Sequence, residues 1–256
     1  VLTLPSGVSL SYLTRGSAGG PVTVLLHGLA GSAREMLPTA TALAAAGHRA
    51  VALDQRGHGR STRRPGDLSR EAFVADVVAL IREVADGPVT LVGQSMGGHT
   101  AMLTAAWHPD LVGRLVMLEA GVGGGERAEL GRYFASWPLP FPTLEAAASF
   151  LGPKPITGAW LADLEERDGG WWPRFDADVM QAAIDPVTAV ARWAEWEQII
   201  APTLLVTGEK GIVPATETEQ MLAVRPETAH AVIAGAGHDA HLEQPEAWIE
   251  ALLRGL

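Results

Sequence analysis

The strongest constraint on how this chain can fold is an alternation of two kinds of segment. Short β-branched or Leu-rich runs occupy residues 22–27, 49–54, 89–93, 115–119, 203–207 and 230–233. Helical patterns stand between or after them at 34–46, 70–84, 96–107, 216–223 and 245–253. Several runs are almost unbroken in apolar character, as in Val22-Thr23-Val24-Leu25-Leu26 and Leu115-Val116-Met117-Leu118. A strand reads that way when both its faces are covered. Strands alternating with helices build βαβ units, so the expected class is α/β with a mostly parallel, doubly wound sheet. At the front, 1–4 and 8–14 flank Pro5-Ser6-Gly7 and predict an antiparallel hairpin at the sheet edge.

The alternation breaks once. Between about residues 121 and 200 no buried strand is legible, while 126–134, 143–151, 159–166, 179–184 and 187–199 have helical character. Pro138, Pro140, Pro142, Pro153 and Pro155 punctuate this stretch. It also holds Trp137, Trp160, Trp171, Trp172, Trp193 and Trp196, most of the chain's tryptophans. The expected organisation is therefore a core formed by 1–120 and 201–256, with 121–200 inserted as a helical cap over the sheet's carboxyl edge.

Composition narrows the partners. The 256 residues suffice for one large core. A formal net charge of −10 repels phosphate backbones and argues against nucleic acid. With no cysteine, disulfides, thiolate nucleophiles and zinc–sulfur sites are excluded. No apolar run approaches the ~18 residues of a membrane span, and no secretory leader is legible, so the expectation is a cytoplasmic protein away from membranes. A small molecule is the expected partner, with no cofactor and no metal; the sequence is silent on oligomeric state.

Three segments carry chemistry. Gly93-Gln94-Ser95-Met96-Gly97 follows a strand and opens a helix, the context in which G-x-S-x-G raises a serine hydroxyl above a sheet. The small residues two before and two after the serine let strand and helix approach. The first helical N–H groups then face a developing negative charge. His27-Gly28-Leu29-Ala30-Gly31 ends an earlier strand, where the Leu29 N–H could join that of Met96 as an oxyanion donor. Gly235-Ala236-Gly237-His238 follows the last strand, and His238 is positioned to take the serine proton. The remaining histidines carry no such context: His27 fits a structural role, His48, His99, His108 and His230 surface or helix-end positions, and His241 local packing.

Taken in this order, the segments resemble the α/β-hydrolase fold superfamily over nearly the full chain. Asp54-Gln55-Arg56-Gly57-His58-Gly59-Arg60-Ser61 and Glu243-Gln244-Pro245-Glu246 add to the likeness. The resemblance implies Ser95 as nucleophile, His238 as base, and Leu29 and Met96 as backbone oxyanion donors. It also implies that Asp54 and His58 shape the site without reacting. In one respect the chain departs from the superfamily. Members usually carry their acid in a Gly-Glu-x-Asp segment, and here the segment reads Gly208-Glu209-Lys210-Gly211. An imidazole base still needs a carboxylate to fix its tautomer. Glu119, ending the strand 115–119, is the first choice. One haloalkane dehalogenase group, which this chain resembles here, carries its acid as a Glu after the same strand. Glu209 is the alternative.

The expected function is a serine hydrolase cleaving an ester, thioester or lactone of a small, partly apolar molecule. Trp171 and Trp172 are the cap tryptophans chosen as substrate contacts. Carbon–carbon bond hydrolases and cofactor-free perhydrolases of the same fold share these motifs. A ligand-binding protein that lost turnover is the reading from another class, supported by the glycine at 211.

Overall fold

In a computed structural model the described residues are 1–126 and 129–256. Five strands, β4 (Val22–Leu26), β6 (Val89–Gln94), β7 (Val112–Leu118), β10 (Thr203–Gly208) and β11 (Ala229–Ile233), run parallel, as does β5 (Arg49–Leu53). β3 (Tyr12–Arg15) pairs antiparallel with β5 and closes one edge, giving the order β11-β10-β7-β6-β4-β5-β3. The period of two explains the apolar runs. Val24, Leu26, Leu91 and Met117 face one layer, while Leu25, Val92, Val116 and Leu118 face the other. Helices α2 (Arg70–Val84) and α3 (Met96–Trp107) cover the first face. Helix α1 (Leu37–Ala45) and the helix Pro245–Arg254 cover the second, the latter through Trp248 and Leu252. Helix α2 starts where Ser69 accepts a hydrogen bond from the Ala72 N–H, an N-cap worth about 1 kcal/mol.

The front of the chain differs from expectation. β1 (Leu2–Thr3) and β2 (Ser9–Leu10) form the hairpin, but as a separate two-stranded sheet. The cause is a competing partner. Ser9 and Ser11 exchange hydrogen bonds with the 61–62 loop, at 2.8 Å between the Ser9 N–H and Thr62 Oγ1 and 2.9 Å between the Ser11 N–H and Ser61 Oγ. Only after this diversion does the chain join the main sheet.

The described residues of 121–200 add no strand to that sheet. They fold as α4 (Leu130–Ala135), α5 (Leu144–Leu151), α6 (Pro155–Asp163), α7 (Ala177–Ala189) and α8 (Trp193–Gln198). Part of the helix expected at 126–134 lies outside the described residues. Two helices expected at 179–184 and 187–199 are divided differently, because α7 runs through Pro186. A hairpin absent from the sequence reading, β8 (Glu165–Arg167) with β9 (Gly170–Trp172), turns at Asp168-Gly169. Both turn residues have positive φ, the conformation an Asp-Gly hairpin turn requires. The segment has its own apolar cluster of Phe134, Trp137, Phe141, Leu151 and Phe175, which Ala30 of the sheet's carboxyl edge joins. Ion pairs tie it down: Arg60 to Asp163 at 3.0 Å, Arg63 to Asp176 at 2.7 Å and Arg64 to Asp176 at 2.6 Å. No helix among the described residues is long and apolar enough to cross a membrane.

Candidate active site

β6 ends at Gln94 and α3 begins at Met96, so Ser95 alone makes the turn between them. Its backbone lies at φ 52° and ψ −121°, a conformation costing an L-residue on the order of 1–3 kcal/mol. The packing around it enforces that geometry. A Cβ on Gly93 would stand 2.3 Å from the Gly97 carbonyl oxygen, and one on Gly97 2.5 Å from those of Leu26 and His27. Only glycine fits at either position.

His238 follows β11, and its Nε2 lies 3.0 Å from the Ser95 Oγ. On the far side of the ring, Nδ1 lies 3.5 Å from Oε2 of Glu119. This second contact is at the long limit of a hydrogen bond; such contacts commonly tighten once substrate binds. Glu119 is fully buried, and its carboxylate is held by two backbone donors, Gly208 N–H at 2.7 Å and Ile212 N–H at 2.8 Å. A side chain on Gly211 would collide with it: a Cβ there would lie 2.0 Å from Glu119 Oε1. The missing Asp and the extra Glu are thus one geometric fact, since the Glu119 carboxylate fills the space a residue at 211 would need. Glu209 is elsewhere. Its Oε2 accepts from the Gly235 N–H at 2.7 Å on the exposed side of the loop.

Leu29 and Met96 both line the cavity beside Ser95, and a Cβ on the neighbouring Gly28 would stand 3.3 Å from the Ser95 Cβ. The cavity measures about 650 Å³. Trp171 and Trp172 do not line it, which corrects the sequence reading. Trp171 is tied through its backbone to Phe141 and packs against the apolar cluster of Phe134, Trp137, Phe141, Leu151 and Phe175. Trp172 lies under the Arg167 guanidinium at 4.9 Å and donates from Nε1 to the Arg167 carbonyl at 3.1 Å. The aromatic side chains in the cavity wall are Tyr133, Phe134 and Trp160.

Other residues escaped the sequence reading. Gln94 donates from Nε2 to the His238 carbonyl at 3.1 Å, steadying the loop that carries His238; its place in the variable position of G-x-S-x-G was the available signal. His241 is not locally packed but pairs at 2.9 Å with buried Glu35, 206 residues away. His99 is not a surface residue; it sits in the cavity wall, buried, with neither ring nitrogen in a hydrogen bond of good geometry. Burial, aided by Arg70 and Arg192, holds its pKa well below the usual histidine value. His27 and Asp54 make backbone contacts: the Gln55 N–H donates to His27 Nε2 at 3.0 Å and the Ala33 N–H to Asp54 Oδ1 at 2.7 Å.

His58, fully buried behind His27, has its pKa pushed down to about 3, chiefly by burial and then by the His27 ring. This predicts an acid-labile fold. An unfolded histidine titrates near 6.5, so between that pH and about 3 the unfolded chain binds the extra proton and stability falls as pH falls. His99 acts in the same direction. Urea midpoints measured from pH 7 to pH 5 are expected to decline, at up to about 1.4 kcal/mol per pH unit per buried histidine. Flat midpoints would contradict this.

A parallel sheet carrying a serine at a tight strand-to-helix turn, with a histidine loop beside it, defines the α/β-hydrolase class. The crystal structure of E-2-(acetamidomethylene)succinate hydrolase shares the fold, with a TM-score of 0.88 at 24% identity over 96% of this chain and 94% of that one. A family model described as the alpha/beta hydrolase family matches residues 23–251, and the chain belongs to that family. A Mus musculus protein named sn-1-specific diacylglycerol lipase ABHD11 is 30% identical over 259 residues, 95% of this chain and 83% of that protein. An enzyme of Mycobacterium tuberculosis named Esterase Rv0045c is 29% identical over 261 residues, 94% of this chain and 84% of its own. The protein is a hydrolase of this family.

Proposed function

We propose that the protein cleaves carboxylic esters, thioesters or lactones of small, partly apolar molecules through an acyl-enzyme on Ser95. The observation that carries this reading is the 3.0 Å approach of His238 Nε2 to Ser95 Oγ with the Glu119 carboxylate behind the ring. His238 takes the hydroxyl proton as Ser95 Oγ attacks the carbonyl carbon, and Glu119 stabilises the imidazolium that forms. The oxyanion accepts hydrogen bonds from the backbone N–H groups of Leu29 and Met96, each worth about 2.7–4 kcal/mol of barrier. Collapse expels the alcohol, which receives the proton from His238. Water then repeats the cycle: His238 accepts its proton, the acid leaves, and Ser95 is restored.

We read residues 121–200 as the cap over this centre and 1–120 with 201–256 as the core. Leu130, Phe134, Ile156, Trp160 and Ile184 give the cavity an apolar wall suited to an acyl or alkyl group. The esterase and lipase names of the relatives support ester chemistry for this chain. A panel of p-nitrophenyl esters from acetyl to dodecanoyl, run beside γ- and δ-lactones, tests the proposal. Turnover with an optimum at intermediate chain length is expected. Folded protein that turns over none of the panel would contradict it.

A further inference from the structure

The cavity wall is uneven in charge. Glu35, Glu119, Glu126, Glu217 and Asp239 line it, and among the described residues no Lys or Arg does. Three of these carboxylates are already engaged. Glu119 holds the backbone donors and ring described above, Glu217 accepts from the Val122 N–H at 2.9 Å, and Glu35 pairs with His241. Asp239 differs. It is half-buried, follows His238 directly in the chain, and its N–H donates to Glu243 Oε1 at 3.1 Å. Its carboxyl group makes no hydrogen bond or close ion pair among the described residues. Burial raises its pKa, with the His238 ring pulling the other way and Glu35 pushing further up. A carboxylate with no protein partner, open to the cavity, is placed to pair with a cation that enters.

We propose that Asp239 is a specificity-determining residue, selecting substrates with a positive charge in the alcohol part and, with the other wall carboxylates, rejecting anionic ones. The placement follows from the chemistry: His238 hands its proton to the departing alcohol, so the wall beside His238 faces that half of the substrate. The inference rests on the acyl-enzyme reading for which half of the substrate lies there.

The test uses three butyrate esters: choline, the uncharged isostere 3,3-dimethylbutanol, and glycolic acid. In the native enzyme kcat/KM for the choline ester is expected to exceed that of the isostere about tenfold or more at low salt, with the glycolate ester about tenfold or more below it. Asp239→Asn should bring choline and isostere within about twofold. If that variant does not fold, Asp239→Ser gives the same comparison. Equal turnover of choline ester and isostere by the native enzyme, or a preference that Asp239→Asn leaves intact, would overturn the inference. If no ester is hydrolysed, the acyl-enzyme reading fails separately. NMR titration of Ser95→Ala with choline and 3,3-dimethylbutanol then decides: tighter choline binding upholds the role of Asp239, and equal binding ends it.

Discussion

Ser95→Ala is expected to lower kcat by about 10⁴-fold or more on any ester the native enzyme turns over. The substitution removes one oxygen and nothing that holds the fold. The turn at 95 is enforced by Gly93 and Gly97 against their neighbouring carbonyls, and alanine carries the same Cβ. The oxyanion donors are backbone groups and survive, so a small residual rate over water is expected while KM stays near the native value. The measurement is steady-state kinetics of both proteins with matched melting curves. Activity within tenfold of native would mean another group attacks the carbonyl.

The second large effect separates two glutamates. Glu119→Gln is expected to lower kcat by about 10²–10⁴-fold, because an amide can present its N–H₂ to His238 Nδ1 and favour the wrong tautomer. It also replaces one of the two carboxylate oxygens that accept separately from the Gly208 and Ile212 N–H groups. Glu209→Gln should cost less than about threefold, since that side chain only accepts from the Gly235 N–H at the exposed side of its loop. The space at 211 supplies a sharper version. Gly211→Asp in the native chain drives a side chain into the Glu119 carboxylate and is expected to cripple the enzyme. In a Glu119→Ala background the same change should restore at least about tenfold of the lost rate, because the new carboxylate enters the vacated space. Reversal of the Glu119 and Glu209 ranking would move the acid elsewhere.

The parallel sheet was legible because buried strands leave continuous apolar runs, and β4, β5, β6, β7, β10 and β11 all lie within a few residues of their expected spans. The serine turn and the histidine loop were legible too, since short motifs encode local geometry; Glu119 came instead from a resemblance, and its carboxylate stands 3.5 Å from His238 Nδ1. What failed depended on distant partners. The front hairpin left the sheet because Ser61 and Thr62, some fifty residues on, captured its backbone. Trp171 and Trp172 turned away from the cavity because β9 is pinned to Phe141, a pairing no local pattern announces. His99 is buried, not at the surface, because α3 is covered on nearly every side and has no polar face to mark in the sequence. The Asp168-Gly169 turn, by contrast, is a local signal, an Asp-Gly pair with both residues at positive φ.

The central claim is most directly tested by treating the folded protein with a fluorophosphonate and mapping the adduct by peptide mass spectrometry. One adduct per chain, on Ser95, is predicted, absent in Ser95→Ala and formed far more slowly in His238→Ala. An unlabelled native protein, or an adduct that persists in Ser95→Ala, would contradict the account.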